Sequence, residues 1–319
     1  NEKNAACVAT FVVILLASVV TAEVRMYAWD RFTAVVGYAI ISWVLFAELT
    51  SIKRIQGVFI TLIVVHLIVA ALNPILFTNP EARNYIASGS FLGDGNDFSL
   101  SIDIVVPFCL FLFLNAKTWQ KPLWVLGMLV MIACVILSQS RGGTLGLIAM
   151  GVYYWLKSPK KVQTGLVAAV VLGLTVALAP GAYFTRMQQM GDTNEGSASA
   201  RITAWNAGVK MAIDHPIFGV GAGNFPQAMD TTYRPPDYDG PGKTAHSVYF
   251  LALGELGFPG LGLILYFIII NLAANHRLAI EVEQRLGTKA IELQLLASTN
   301  AGLISFTVAA AFLSALYYP

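Results

Sequence analysis

Apolar residues recur along this chain in nine long blocks, at about 5–22, 33–47, 57–77, 100–114, 122–138, 142–156, 163–184, 247–273 and 290–318. A helix needs about 20 apolar residues to cross the hydrocarbon core of a bilayer, so each block predicts a transmembrane helix; the second, fourth and sixth are short for one. The connections between blocks are short, with one exception. Residues 185–246 form a polar insert rich in Gly, Pro and Asp, and long ordered loops in compact proteins are usually functional. The pattern predicts an all-α, polytopic helical membrane protein with about nine visible transmembrane helices. It divides the chain into a transmembrane bundle over 1–184, an external insert over 185–246, and the rest of the bundle over 247–319. Neither an internal repeat nor a low-complexity tract interrupts it.

Composition strengthens this picture. The chain has 319 residues, of which 56% are hydrophobic and 12% charged, about half the charge fraction of an ordinary soluble domain; the mean hydropathy is +0.66. A net charge of +2 excludes bulk nucleic-acid binding as an expected role. Cys7, Cys109 and Cys134 lie inside apolar blocks with no disulfide or metal spacing and read as small hydrophobes. No cleavable signal peptide is visible. The chain starts at Asn1 and stops at Pro319 directly after an apolar run, so further helices are expected beyond either end.

Charge then orients the bundle. One set of alternate connections holds Lys3, Lys53, Arg54, Lys117, Lys121, Lys157, Lys160, Lys161, Arg277, Arg285 and Lys289, eleven of the 20 Lys and Arg. Basic short loops stay in the cytoplasm. GDGND at 93–97, SQSRGG at 138–143 and the long insert therefore share the external side.

Candidate chemistry concentrates on that side. Arg141 stands between two apolar blocks, where a charge costs on the order of 2–3 kcal/mol on insertion scales. It either snorkels to lipid phosphates or holds an anion beside Gly142 and Gly143, with the N-terminal N–H groups of a helix from Thr144. GSASARITAWNAGVKMAID predicts an amphipathic helix in the outer interface. Ser197 or Ser199 would cap it, Ile202, Trp205, Val209 and Ile213 would form its apolar stripe, and Pro216 would end it. Arg201 in its first turn opposes the helix dipole, which suits an anion site or a surface arginine. Gly219, Gly221 and Gly223 alternate like a dinucleotide fingerprint, but no strand precedes them. Asp237 and Asp239 form a D-x-D pair without a third ligand, and a turn between prolines explains them as well. His246, at the head of an apolar run, is either a cap or a general base active near neutral pH. Glu255, nine residues on, faces away from it on a helix. His66 and Asp103, inside apolar blocks, are packed polar residues or a proton relay.

SQSRGG before a membrane run, then SARITAW…HPIFGVGAGNF, then AHSVYFLALGELGFPG, with NDFSLSIDIVVP at 96–107, resembles the O-antigen ligase and polymerase superfamily of bacterial GT-C-type glycosyltransferases, and within it the O-antigen ligases and O-glycosylation ligases. The likeness covers about residues 80–310. It implies roughly a dozen helices in the inner membrane and a site facing the periplasm. It also implies a glycan donor on a polyprenyl (undecaprenyl) diphosphate and a hydroxyl acceptor, a lipid A-core sugar in lipopolysaccharide synthesis, with membrane lipids as surroundings. By position, Arg141 and Arg201 would hold the diphosphate and His246 would be the catalytic residue. Arg234, Lys243, Trp205, Asn96 and Asp97 are further candidates for substrate contact. An inverting transfer without metal or other cofactor is expected. Many relatives carry His-Asn where this chain has His246-Ser247. Polymerisation of glycan units and transfer to protein remain alternative acceptor readings. Transport is the reading from another class; it requires matching inverted halves, which the sequence does not show.

Overall fold

The computed structural model describes residues 2–73, 75–78, 95–178, 181, 184, 196–236, 238 and 242–318. Among these the chain is helical, without strands: α1 (Glu2–Thr21), α2 (Arg25–Glu48), α3 (Ile52–Leu72), α4 (Ile75–Thr78), α5 (Gly95–Asn115), α6 (Lys121–Leu137), α7 (Arg141–Lys157), α8 (Lys161–Leu178), α9 (Gly196–Asp214), α10 (Phe225–Thr231), α11 (Val248–Leu286) and α12 (Ile291–Ala309). Each of the nine apolar blocks is met by a helix. Seven helices among the described residues are long and apolar enough to cross a membrane. α7, at 17 residues, and α8, at 18, are not among the seven. The chain is a polytopic helical membrane protein.

Two compact units make up the chain. One comprises Asn1–Thr50, Asp192–Ile270 and Ala310–Pro319; the other comprises Ser51–Gly191 and Asn271–Ala309.

The second unit is built around α5, which packs against α3, α6, α7 and α12. Phe59 of α3 stacks on Phe108 at 3.9 Å and meets Phe111 edge-on at 5.8 Å. Ile102, Cys109, Met131, Cys134 and Val135 fill the same core, so these two cysteines are the small hydrophobes their setting predicts. In lipid, helices associate through small residues that let backbones approach, and α7 supplies them. A Cβ on Gly143 would lie 2.6 Å from the Ser99 Cβ of α5, and one on Gly146 would overlap Asp103. Ser99 meets Gly143 and Asp103 meets Gly146, so α5 and α7 run in the same direction. α12 runs against them: Asn115 bonds Gln294 at 2.8 Å while Gly302 packs on Ile104. Buried His66 uses both ring nitrogens, Nδ1 with the Leu62 carbonyl at 2.7 Å and Nε2 with the Ser101 hydroxyl. It makes no relay with Asp103, which lies against α7 and α12; His66 is a packed polar residue.

The first unit is organised by a break. α11 runs on to Leu286, but Gly257 sits at φ 67°, ψ −165°, outside helical geometry. The break receives the segment before α10. Phe258 N–H donates to the Pro216 carbonyl (2.9 Å), Val220 N–H to Gly254 (2.9 Å) and Gly221 N–H to Glu255 (3.0 Å). Following that path requires left-handed backbone at Gly219 and Gly221, φ 57° and 100°, where glycine carries no steric penalty. A Cβ at Gly219 would overlap the backbone at Gly254 and Glu255. The glycine alternation is thus a packing device. On its other side the loop holds the α1–α2 turn: Ala222 N–H donates to Ser18 Oγ (2.7 Å) and Val24 N–H to Asn224 Oδ1 (2.8 Å).

Candidate active site

Three of the sequence candidates gather at the head of unit two. Asn96 and Asp97 lie in the first turn of α5 and Arg141 is the first residue of α7. The parallel packing of these two helices puts their N-termini side by side. Ser140 caps α7: its Oγ accepts from Gly143 N–H at 3.2 Å and its carbonyl accepts from Thr144 N–H at 3.0 Å. The helix therefore begins at Arg141, three residues before the expected start, and the Thr144 N–H is used within it. Gly143 packs against Ser99 of α5, which explains it as a close helix contact. What remains at the tip is a half-buried guanidinium at the positive end of a helix dipole, reached from a tight turn in which Gln139 takes φ 54°.

Arg201, Trp205, Arg234, Lys243 and His246 belong to unit one. His246 is half-buried and takes a left-handed backbone, φ 47°, a region that few residues other than glycine visit. The two residues before it are clamped. Thr244 Oγ1 donates to Ser314 Oγ at 3.0 Å, and Trp205 Nε1–H donates to the Ala245 carbonyl at 2.9 Å. The Trp205 ring stacks on Phe250 of α11 at 4.9 Å. Trp205 thus holds the histidine loop with the N–H a substrate would otherwise use. Ser247, which follows, is fully buried, and its hydroxyl has no hydrogen-bond partner among the described residues.

α9 differs from its predicted form in three respects. It starts at Gly196, so Ser197 and Ser199 lie inside it rather than capping it, and Arg201 falls in its second turn, where the dipole argument for an anion weakens. The expected stripe is turned outward: Ile202, Val209 and Ile213 are exposed, whereas Ala204, Ala207, Gly208, Met211 and Ala212 are buried. Gly208 lies so close to Phe225 and the Phe250 carbonyl that a Cβ would stand 3.0 Å from each. Small residues win the buried face because the partner backbone comes this near.

Arg234 is paired with Asp230, which also accepts Gly242 N–H at 2.5 Å. The Arg234 bond holds the Asp230 carboxyl below its ordinary range. Lys243 is exposed. A cleft of about 410 Å³ opens beside this pair, lined by Tyr27, Asp30, Arg31, Gly223, Pro226, Gln227 and Asp230. Its floor is held from below by Glu255, a residue that sequence reasoning placed on the wrong side of His246 to orient it and gave no other task. The buried carboxylate accepts Gly223 N–H (2.8 Å), Phe225 N–H (3.0 Å) and the Tyr317 hydroxyl (2.5 Å). Arg31 lies 5.8 Å over the Tyr317 ring. A glutamate inside an apolar run was the available signal; its partners, 30 and 62 residues away, were not.

Among the described residues no three His, Cys, Asp or Glu side chains gather as a metal site. Asp237 and Asp239 lie outside the described residues, as do residues 93 and 94 of GDGND.

No curated protein matches the chain. Residues 126–265 match the family model described as O-Antigen ligase. Arg141, Arg201 and His246 all fall within the match, which supports the O-antigen ligase superfamily for this multi-pass helical membrane protein and, with it, a glycosyltransferase-like ligase activity.

Proposed function

We propose that the protein moves a glycan from a polyprenyl diphosphate donor to an acceptor hydroxyl, a lipid A-core sugar, at the periplasmic face of a bacterial inner membrane. The observation that carries this reading is the held conformation of His246. A left-handed histidine at the head of an apolar helix, its two preceding residues held by Trp205 and Ser314, supports a role in chemistry rather than in capping. Strained non-glycine backbone persists where the surroundings over-determine it, and such residues cluster at active sites.

In this mechanism the imidazole takes the proton of the acceptor hydroxyl as its oxygen attacks the anomeric carbon. The bond from that carbon to the phosphate oxygen breaks, and its electron pair leaves with the diphosphate. Negative charge grows on the leaving group, where Arg141 and Arg201 stabilise it; fixed guanidiniums in a water-poor site do this without reorganising. Attack opposite the leaving group inverts the anomeric centre. No metal is required if the two arginines neutralise the diphosphate. The cleft beside Asp230 offers carboxylate, amide and guanidinium groups to sugar hydroxyls, while Arg234, tied to Asp230, shapes its rim.

The test uses membranes of a ligase-deficient bacterium carrying wild type, His246→Ala or Arg141→Ala at equal protein level. Transfer to lipid A-core by wild type and its loss in both variants is the expected result. Transfer surviving both substitutions sinks the site assignment. Longer lipid-linked chains or a glycosylated protein, in place of lipid transfer, would keep the chemistry and change the acceptor.

A further inference from the structure

Asp103 and Ser305 are fully buried in unit two, and neither carboxylate oxygen of Asp103 nor the Ser305 hydroxyl has a hydrogen-bond partner among the described residues. They converge on one point. A Cβ built on Gly146 of α7 would overlap Asp103 Oδ2, and would stand 2.9 Å from Ser305 Oγ and 3.1 Å from the Ser305 carbonyl oxygen. The backbone adds a further oxygen. Pro107 lies inside α5 and has no N–H for the carbonyl four residues back, which is that of Asp103. A carboxylate oxygen of Asp103 on α5 and the hydroxyl and main-chain carbonyl oxygens of Ser305 on α12 thus line a notch that only glycine on α7 leaves open.

A bare carboxylate among apolar side chains costs several kcal/mol even after relaxation, and an ionisable side chain inside a spanning helix marks an ion or proton site. No cation on the described helices packed against α5 answers this one. On α3, His66 is bonded to Leu62 and Ser101, and Lys53 and Arg54 stand in the first turn. α6 carries Lys121 at its start and the buried Cys134. On α7, Arg141, Tyr153 and Tyr154 are five or more positions from Gly146; on α12, Glu292 is in the first turn; on α5, Asp97 and Cys109 are each six positions from Asp103.

We propose that Asp103, Ser305 and Gly146 form an intramembrane site for one monovalent cation, a proton or a sodium ion, held between α5, α7 and α12. Hard oxygen donors suit these ions, and freed main-chain carbonyls in interrupted helices bind them elsewhere in membranes. One carboxylate balances one positive charge, whereas a divalent ion would leave a net charge in the bundle. The site does not depend on the glycan-transfer reading. It bears on it because Gly146 is only five residues, about 7.5 Å of helix rise, from Arg141. Occupancy governs how firmly α7 is held against α5.

The test is thermal unfolding of the purified full chain in lipid nanodiscs, with sodium chloride against choline chloride at fixed pH, and across about pH 5 to 9 in choline. Wild type, Asp103→Asn and Ser305→Ala are compared. A saturable rise of several degrees with sodium but not choline identifies sodium. A rise toward low pH without a sodium response identifies the proton. In either case Asp103→Asn abolishes the dependence and Ser305→Ala shifts it to higher cation concentration. Wild-type dependence on neither ion, or the same dependence in Asp103→Asn, overturns the proposal. If Asp103→Asn does not fold, labelling of wild-type Asp103 by dicyclohexylcarbodiimide decides. Labelling that sodium protects against, or that falls about tenfold per pH unit above its midpoint, supports the site. Labelling insensitive to both, or absent throughout, overturns it.

Discussion

His246 combines two demands in one residue, a left-handed backbone and an imidazole. Asn shares the tolerance for that backbone but not the proton chemistry, so His246→Asn separates them. Transfer is expected to fall by about 10² or more while the melting temperature stays at the wild-type value; a folded His246→Asn that keeps full transfer would remove the histidine from the mechanism. Titration offers a second check at this scale. Burial, then the charge and hydrogen bond of Glu255, push the Tyr317 hydroxyl well above its ordinary 10.0. Burial and the bond to Asp214 push Tyr233 up to about 12. Both raised values mean stability that is complete below pH 10 and is lost as the pH climbs through the folded values. Melting measured on the alkaline side should therefore decline from about pH 10 upward, and less steeply in Tyr233→Phe. A Tyr233→Phe curve identical to wild type would show that this phenol does not contribute. His246 and Arg141 were legible as candidates because charge in an apolar chain is rare and conspicuous. Glu255 was conspicuous too, but its work is done with Gly223, Phe225 and Tyr317, and no local pattern names partners so far along the chain.

At the scale of the element, α9 shows how far periodicity reaches. A 3.6-residue stripe of Ile202, Trp205, Val209 and Ile213 established the helix and its amphipathic character, but not which face is covered. Periodicity assumes that large apolar residues are buried, as they are in water. Beside a bilayer they remain exposed to lipid, and the small residues take the contact. The consequence is measurable. Met211→Ala, at a fully buried position, should cost about 2–5 kcal/mol, whereas Ile213→Ala, at 65% exposure, should stay within about 0.5 kcal/mol. Unfolding in detergent would compare them, and equal losses would mean that the face assignment is wrong. Gly142 and Gly143 carry a related lesson. Two glycines behind an arginine read equally well as an anion cradle or a close helix crossing, and only the position of α5 separates the two.

For the molecule as a whole, the charge asymmetry of the short loops predicts sidedness. A cysteine placed at Lys243 should react with a membrane-impermeant maleimide in intact cells, and one at Lys160 only after permeabilisation. The opposite pattern would invert the topology and place His246 in the cytoplasm. The native Cys109 and Cys134, buried in the core of unit two, should stay silent in both conditions. What the sequence by itself determined was the class: nine apolar blocks became nine helices because a continuous apolar segment of that length satisfies its own backbone hydrogen bonds in lipid as a helix. Its conspicuous charges also marked Arg141 and His246 as places to look. Tertiary structure alone decided which faces touch, that α11 breaks at Gly257 to receive a glycine loop, that Glu255 holds that loop, and that Asp103 and Ser305 meet unsatisfied beside Gly146. These depend on distances between residues far apart in the chain, and helical periodicity carries no information about what arrives from elsewhere.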